Sequence, residues 1–124
     1  MKQKFLKCSI CGQIVATIKE TAVPIMCCGK PMQEMIAGTT EASIEKHIPK
    51  LDIDNGVVKV YVGEVEHPMT TEHYIECVFL QTKKRNQIQN LTPNVKPYVE
   101  FLIDQDDNVE AVYAYCNLHG LWKK

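Results

Sequence analysis

The chain has 124 residues, a hydrophobic fraction of 45% and a formal net charge of −1, a composition that fits a globular protein and excludes a disordered one. Basic and acidic residues are interspersed, without the clustered basic face of a nucleic-acid binder, and no apolar run approaches the ~20 residues that cross a bilayer. No apolar stretch precedes the first cysteine in MKQKFLKCSICG, so a reducing cytoplasm is expected, where the six cysteines serve as metal ligands more readily than as disulfides.

Residues 1–36 hold Cys8, Cys11, Cys27 and Cys28 together with the turn formers Gly12, Pro24, Gly29 and Pro31. A short strand is expected from Gln13 to Lys19. A piece this small buries too little apolar surface to fold alone, so it needs a staple such as a metal, and binding energy there is folding energy. Cys8-Ser9-Ile10-Cys11-Gly12 has the form of a metal knuckle, with Gly12 free to take a positive φ. Cys27 and Cys28 are adjacent, and neighbouring side chains diverge in a strand, so both reach one metal only from a distorted turn. The expected product is a tetrahedral tetrathiolate site, and the spacing does not choose between iron and zinc.

The pattern changes from about residue 37. Gly38-Thr39-Thr40 reads as a linker, and Ser43–His47 as one helical turn ended by Pro49. After the turn signal Asn55-Gly56, Val58, Val60 and Val62 share one face of a strand over 57–66. Tyr74–Thr82 is apolar on both faces, as in a strand packed on two sides. Lys83-Lys84-Arg85 reads as a solvated turn. Further strands are expected at Ile88–Leu91, Tyr98–Ile103 and Val109–Cys116, with the acidic segment 104–108 as a hairpin turn between the last two. Several short strands separated by turns and no long helical period mean an all-β sandwich or barrel.

All four histidines fall where one metal site could use them: His47 in EKHIP, His67 and His73 in HPMTTEH, and His119 just after Cys116 in CNLHG. Structural zinc closes at four ligands. Four imidazoles and a thiolate suit iron better, with one coordination position left open, which points to redox chemistry on a small molecule. Neutral imidazoles leave the iron charge uncompensated and favour an anionic substrate, and a thiolate donates electron density to the metal.

The strings CSICG, CCGKPM, EKHIP, GEVEHPMTTEHYI and CNLHGLWK resemble the desulfoferrodoxins, the two-iron class of superoxide reductases, in order and over nearly the whole chain. The resemblance implies a mainly β protein. Residues 1–36 would form a desulforedoxin-like (rubredoxin-like) domain with iron on Cys8, Cys11, Cys27 and Cys28, a site where zinc can replace iron in a recombinant sample. Residues 37–124 would form an immunoglobulin-like β-sandwich, with His47, His67, His73 and His119 in the plane of a second iron and Cys116 as its axial thiolate. Lys46 would attract superoxide and help to protonate the product, and Glu45 would occupy the sixth position of the ferric resting state.

The implied reaction turns superoxide, one electron and two protons into hydrogen peroxide. Electrons would come from rubredoxin or a similar small carrier, in the cytoplasm of an anaerobe. A homodimer through the N-terminal domains is implied, with neither nucleic acid nor membrane as partner. Two other readings are a non-catalytic iron electron carrier and a zinc-stabilised binding module, and against the second stands that a closed zinc site has no use for five ligands. Cys77 is expected to be an inert core thiol, Trp122 to pack near the catalytic loop, and Met26, Met32, Met35 and Met69 to fill gaps.

Overall fold

Valines at every second position of 57–62 can put one face of a strand into a core, and the architecture of the larger part of the chain is built around that stripe. The computed structural model describes residues 2–38 and 44–124. It divides into two units, Met1–Ile36 and Ala37–Lys124.

In the smaller unit, β1 (Phe5–Lys7) pairs antiparallel with β2 (Ile14–Ala16) on one side and β5 (Gln33–Glu34) on the other. β3 (Met26–Cys27) and β4 (Lys30–Pro31) form a separate hairpin. Among its described residues the buried apolar side chains are Phe5, Cys8 and Met32, far too few to hold 36 residues together without a staple. Met26 departs from expectation. It is 57% exposed on β3 and fills no gap.

The larger unit contains α1 (Ile44–His47), β6 (Pro49–Asp54), β7 (Val57–Val62), β8 (Ile75–Thr82), β9 (Asn86–Asn90), β10 (Tyr98–Leu102), β11 (Val109–Cys116) and β12 (Gly120–Lys123). Its strands make two antiparallel sheets, ordered β10-β7-β6 and β12-β11-β8-β9. Val58, Val60, Val62, Val99 and Phe101 from the first pack against Ile75, Val78, Leu80, Val112, Ala114 and Cys116 from the second. This is a sandwich, and its core runs out at Cys116, which is fully buried at the end of β11.

Several expectations are corrected. The strand expected over 57–66 stops at Val62, because Gly63 takes φ +85° and turns the chain. The segment 104–108 is not a hairpin turn. β10 pairs with β7 and β11 with β8 and β12, so this connection carries the chain from one sheet to the other. β6 is absent from the expected strands, although Pro49, Leu51 and Ile53 alternate there with Lys50, Asp52 and Asp54. As an edge strand it buries Pro49, packs Leu51 against the core and leaves Ile53 exposed. Cys77 is half-buried and lies outside the core, on the strand face opposite Val78. Burial pushes its thiol up to about 11, which keeps it unreactive. Thr39, Thr40 and Ser43, expected in the linker and the helical turn, lie outside the described residues.

The basic turn between β8 and β9 is tied to the crossover by exposed ion pairs, Lys84–Asp106 at 2.6 Å and Arg85–Asp104 at 2.7 Å. Asp107 sits beneath them, buried. It accepts bonds from the Thr82 hydroxyl (2.7 Å), the Lys84 amide (3.1 Å) and the Asn108 amide (2.8 Å). Burial pushes the Asp107 carboxyl up, but these donors and the Lys84 charge outweigh it and hold it below the ordinary value. A lowered native value means stability that is present above the unfolded carboxylate range and is lost as pH falls through the native value. Asp107→Asn should therefore lower the unfolding midpoint at neutral pH and flatten its decline in acid. Thermal unfolding followed by circular dichroism down the pH scale reads this. A loss of equal size at every pH would remove the charge of Asp107 from the account.

Candidate metal centres

Two groups of metal-ligating side chains converge among the described residues. One is Cys8, Cys11, Cys27 and Cys28, and the other is His47, His67, His73 and Cys116. Within each, the ligand atoms all lie within 4.8 Å of one another.

The first group is built by two turns. Gly12, at φ +80°, donates its amide to the Cys8 carbonyl (3.1 Å), which folds the knuckle back on itself. The Ile10 and Cys11 amides both point at the Cys8 sulfur, at 3.4 Å. Cys28 and Gly29 form the β3–β4 turn with φ of +53° and +74°, the double left-handed geometry of a tight hairpin. That turn is the distortion that lets adjacent cysteines serve one centre. The Cys11 and Cys27 sulfurs are 3.6 Å apart. Four sulfurs about 2.3 Å from a tetrahedral centre would be about 3.8 Å apart, so the cluster fits a metal.

Its charge balance says the same. The Cys11 and Ile10 amides pull the Cys8 thiol down to about 6, whereas hydrogen bonds to the Cys11 and Cys8 sulfurs push Cys27 up to about 12. The thiols cannot all ionise side by side unless a cation compensates them. Cys8 is buried, whereas Cys11 and Cys28 are exposed, so one side of this centre faces solvent.

The second group, with His119 beside it, is drawn from five places on one sandwich. His47 ends α1, His67 lies in the turn after β7, and His73 is in the loop before β8. Cys116 ends β11, and His119 is in the β11–β12 turn. The four imidazoles stand in a square. Centroids of neighbouring rings are 4.6 Å (His47–His67), 4.7 Å (His67–His73), 4.9 Å (His73–His119) and 4.9 Å (His119–His47), with each pair near perpendicular. The His47–His73 diagonal is 6.3 Å.

His47 Nε2 lies 3.1 Å from both His67 Nε2 and His119 Nδ1. Nitrogens about 2.1 Å from the centre of a square would be about 3.0 Å apart along its edge. His119 is not in the tightest group of ligand atoms, but its Nδ1 completes the square and lies 3.9 Å from the Cys116 sulfur.

The donor set itself asks for a cation. His67 Nδ1–H donates to the Pro68 carbonyl at 2.6 Å, which fixes the tautomer and turns the Nε2 lone pair inward. Burial pulls His67 down to about 4, so the ring is neutral. A single proton on His47 Nε2 could satisfy only one of the two nitrogens facing it. His73 Nε2 is buried with no hydrogen-bond partner. Burial, then electrostatic repulsion from His119 and Lys46, lowers His73 as well, and burial raises the Cys116 thiol. A metal would satisfy every one of these atoms, and the set of four imidazoles and one sulfur fits iron.

Burial is graded across the square. His47 and His67 are 2% and 1% exposed, while His73 and His119 are half-buried. Glu45, exposed, and Lys46, half-buried, immediately precede His47 on α1, and the Lys46 charge is felt at His73. Trp122 packs where expected. Its ring stacks on His47 at 4.8 Å, and its Nε1–H holds the His119 carbonyl at 3.0 Å.

Sequence reasoning passed over Gly63 and Asn117. Gly63 carries the Glu45–Lys46 backbone against it, and the next turn accepts it through the bond from the Val65 amide to the Glu45 carbonyl (3.0 Å). Asn117 bridges to the loop that bears His73. Both lie inside the motifs GEVEH and CNLHG, beside ligands.

Comparison with known proteins agrees with this geometry. Residues 39–124 match the desulfoferrodoxin family, and residues 1–35 match the desulfoferrodoxin N-terminal domain. A desulfoferrodoxin of Clostridium acetobutylicum is 41% identical over 114 residues, spanning 90% of this chain and 87% of that protein. Among solved structures, the superoxide reductase of Treponema pallidum superposes with a TM-score of 0.84 at 35% identity, covering 100% of this chain and 99% of that one. The superoxide reductase of Giardia intestinalis gives 0.55 at 32% identity, over 64% of this chain and 95% of its own.

A Cβ at position 63 would lie 2.5 Å from the Lys46 carbonyl carbon and 2.7 Å from its Cα, on a backbone already at φ +85°. Gly63→Ala should cost about 1–3 kcal/mol in strain and push α1, with His47, out of the square. Chelator challenge of the iron-loaded protein should then strip the histidine site first while the cysteine site holds. Unchanged retention at the histidine site would show that α1 accommodates the methyl group.

Proposed function

We propose, for a chain that belongs to the desulfoferrodoxin family, a division of labour among named side chains. The protein is a superoxide reductase: superoxide, one electron and two protons give hydrogen peroxide. The observation that carries this is the square of four imidazoles with a buried thiol on its core side, a five-donor set that leaves one side for a small anion. Iron, when bound, supplies the one-electron couple and the open coordination position.

His47, His67, His73, His119 and Cys116 hold the catalytic iron in this reading, and Cys8, Cys11, Cys27 and Cys28 hold the second. Lys46 raises the local concentration of the superoxide anion and keeps a proton close to it. Glu45, exposed one residue earlier on α1, is the carboxylate that would be available to an iron held by the square. Cys116 lends electron density from the core side, where burial keeps water from its sulfur. His67 is held in one tautomer by the Pro68 carbonyl, which keeps its Nε2 lone pair aimed into the square.

Reduction needs an external electron donor. We assign that role to rubredoxin or a carrier of similar size, and the exposed Cys11 and Cys28 side of the tetrathiolate centre supports electron entry there. A homodimer through residues 1–36 is supported by the apolar side chains this small unit exposes, Ile18 at 94% and Val23 at 75% among them. No helix of the described residues is long and apolar enough to cross a membrane, and we place the protein in the cytoplasm of an organism that meets little oxygen.

A visible absorption titration from the reduced to the oxidised protein tests the two-centre reading. Two separable thiolate-to-iron bands are expected, and no band in an iron-replete sample would refute it. His119→Ala should bleach the histidine-site band and leave the cysteine-site band in place. Loss of both together would contradict two independent centres. Lys46→Ala should slow the superoxide encounter several-fold and weaken its dependence on ionic strength, read by pulse radiolysis over a salt series. An unchanged rate and salt slope would take Lys46 out of the mechanism.

A further inference from the structure

We infer that Asn117 is the positioning residue for His73, and that through it Cys116 and His73 are held at a fixed distance. The inference rests on the reading of the four-histidine cluster as a metal centre. The corners of the square are secured differently. His47 and His67 are buried, so packing on every side limits their movement. His73 is half-buried on a loop whose neighbours Thr71 and Glu72 are exposed, and packing cannot hold it in the same way.

The loop closes on itself. Thr70 and His73 exchange backbone bonds at 2.9 and 3.2 Å, and the Thr70 hydroxyl bonds both the His73 amide and its carbonyl. Those bonds give the turn its shape. They do not set where the turn stands against the ligands on β11 and the β11–β12 turn.

Asn117 does. Its side-chain Nδ2 donates to the Glu72 carbonyl at 3.0 Å, and its Oδ1 accepts the Tyr74 amide at 3.0 Å. Its own amide donates to the Tyr74 carbonyl at 3.2 Å. These bonds bracket His73 on both sides. Asn117 directly follows Cys116, so beside the β8–β11 pairing of Ile75 with Cys116 its side chain ties the two ligands together across a gap of 43 residues between Tyr74 and Asn117. Only an amide can donate at one end and accept at the other here. A carboxylate keeps the acceptor and loses the donor, and alanine loses both.

Outer partners that orient a metal ligand typically change metal affinity by about 10–100-fold when deleted, and Asn117 acts on the backbone at either side of one. The test is chelator competition on the iron-loaded full chain, with iron at each site read from its own absorption band and the tetrathiolate band as internal control. Asn117→Ala should lower iron affinity at the histidine site by about 10–100-fold and shift its band, with the tetrathiolate site unmoved. Asn117→Asp should fall between the two proteins. Wild-type affinity and band position in Asn117→Ala, even with a lowered unfolding midpoint, would reduce Asn117 to a structural role and overturn the inference. If Asn117→Ala does not fold, Asn117→Asp decides, and unchanged affinity there overturns it equally. A wild-type protein with no histidine-site band would instead refute the metal-centre reading on which the inference stands.

Discussion

Imidazole nitrogens set about the His47 ring at 3.1 Å cannot all be satisfied by protons. The tautomer of His67 is committed by the Pro68 carbonyl, so its inner nitrogen is a lone pair, and His73 offers a second buried nitrogen with no partner. Burial pulls His67 down to about 4 and lowers His73 as well. A cation at the centre relieves all of this at once, and the rest of the larger unit can be understood as the frame that keeps these lone pairs aimed at one point. A site of this kind gains little from flexibility, because its ligands lose binding energy as soon as one of them swings away.

The frame is a sandwich whose core and whose metal centre share an atom. Cys116 belongs to the apolar cluster with Val112 and Ala114 along β11, and its sulfur is also one of the donors that would hold a metal in the proposed centre. Its position is therefore as rigid as the core itself. The imidazoles are added at strand ends and on turns, where the backbone is free to aim them. Gly63 lets α1 approach closely enough for His47 to enter the square, and Trp122 stacks on His47 while it holds the carbonyl of His119. The turns can differ in length and sequence without disturbing the core, provided these contacts are kept.

The smaller unit solves the opposite problem. It has almost no apolar core, so its shape depends on the four sulfurs and whatever they hold. The hairpin at Cys28-Gly29 spends its left-handed residues on bringing two adjacent thiols to one centre. The opposing shifts of Cys8 and Cys27 are the electrostatic trace of that crowding.

Much of this was legible without coordinates. The ligand residues, the knuckle, the valine stripe of β7 and the exact span of β11 follow from residue type and spacing, because they are local properties of the chain. The resemblance of whole motifs then supplied the pairing of two centres with one chemistry. The tertiary structure decided what depends on distant partners. The segment 104–108 crosses between sheets because of which strands β10 and β11 pair with. That His119 presents Nδ1 while His47 and His67 present Nε2, and that Gly63 and Asn117 seat the ligands, are consequences of close approach between residues far apart in sequence. Spacing along a chain records which donors exist, and only packing in three dimensions determines which of their atoms meet.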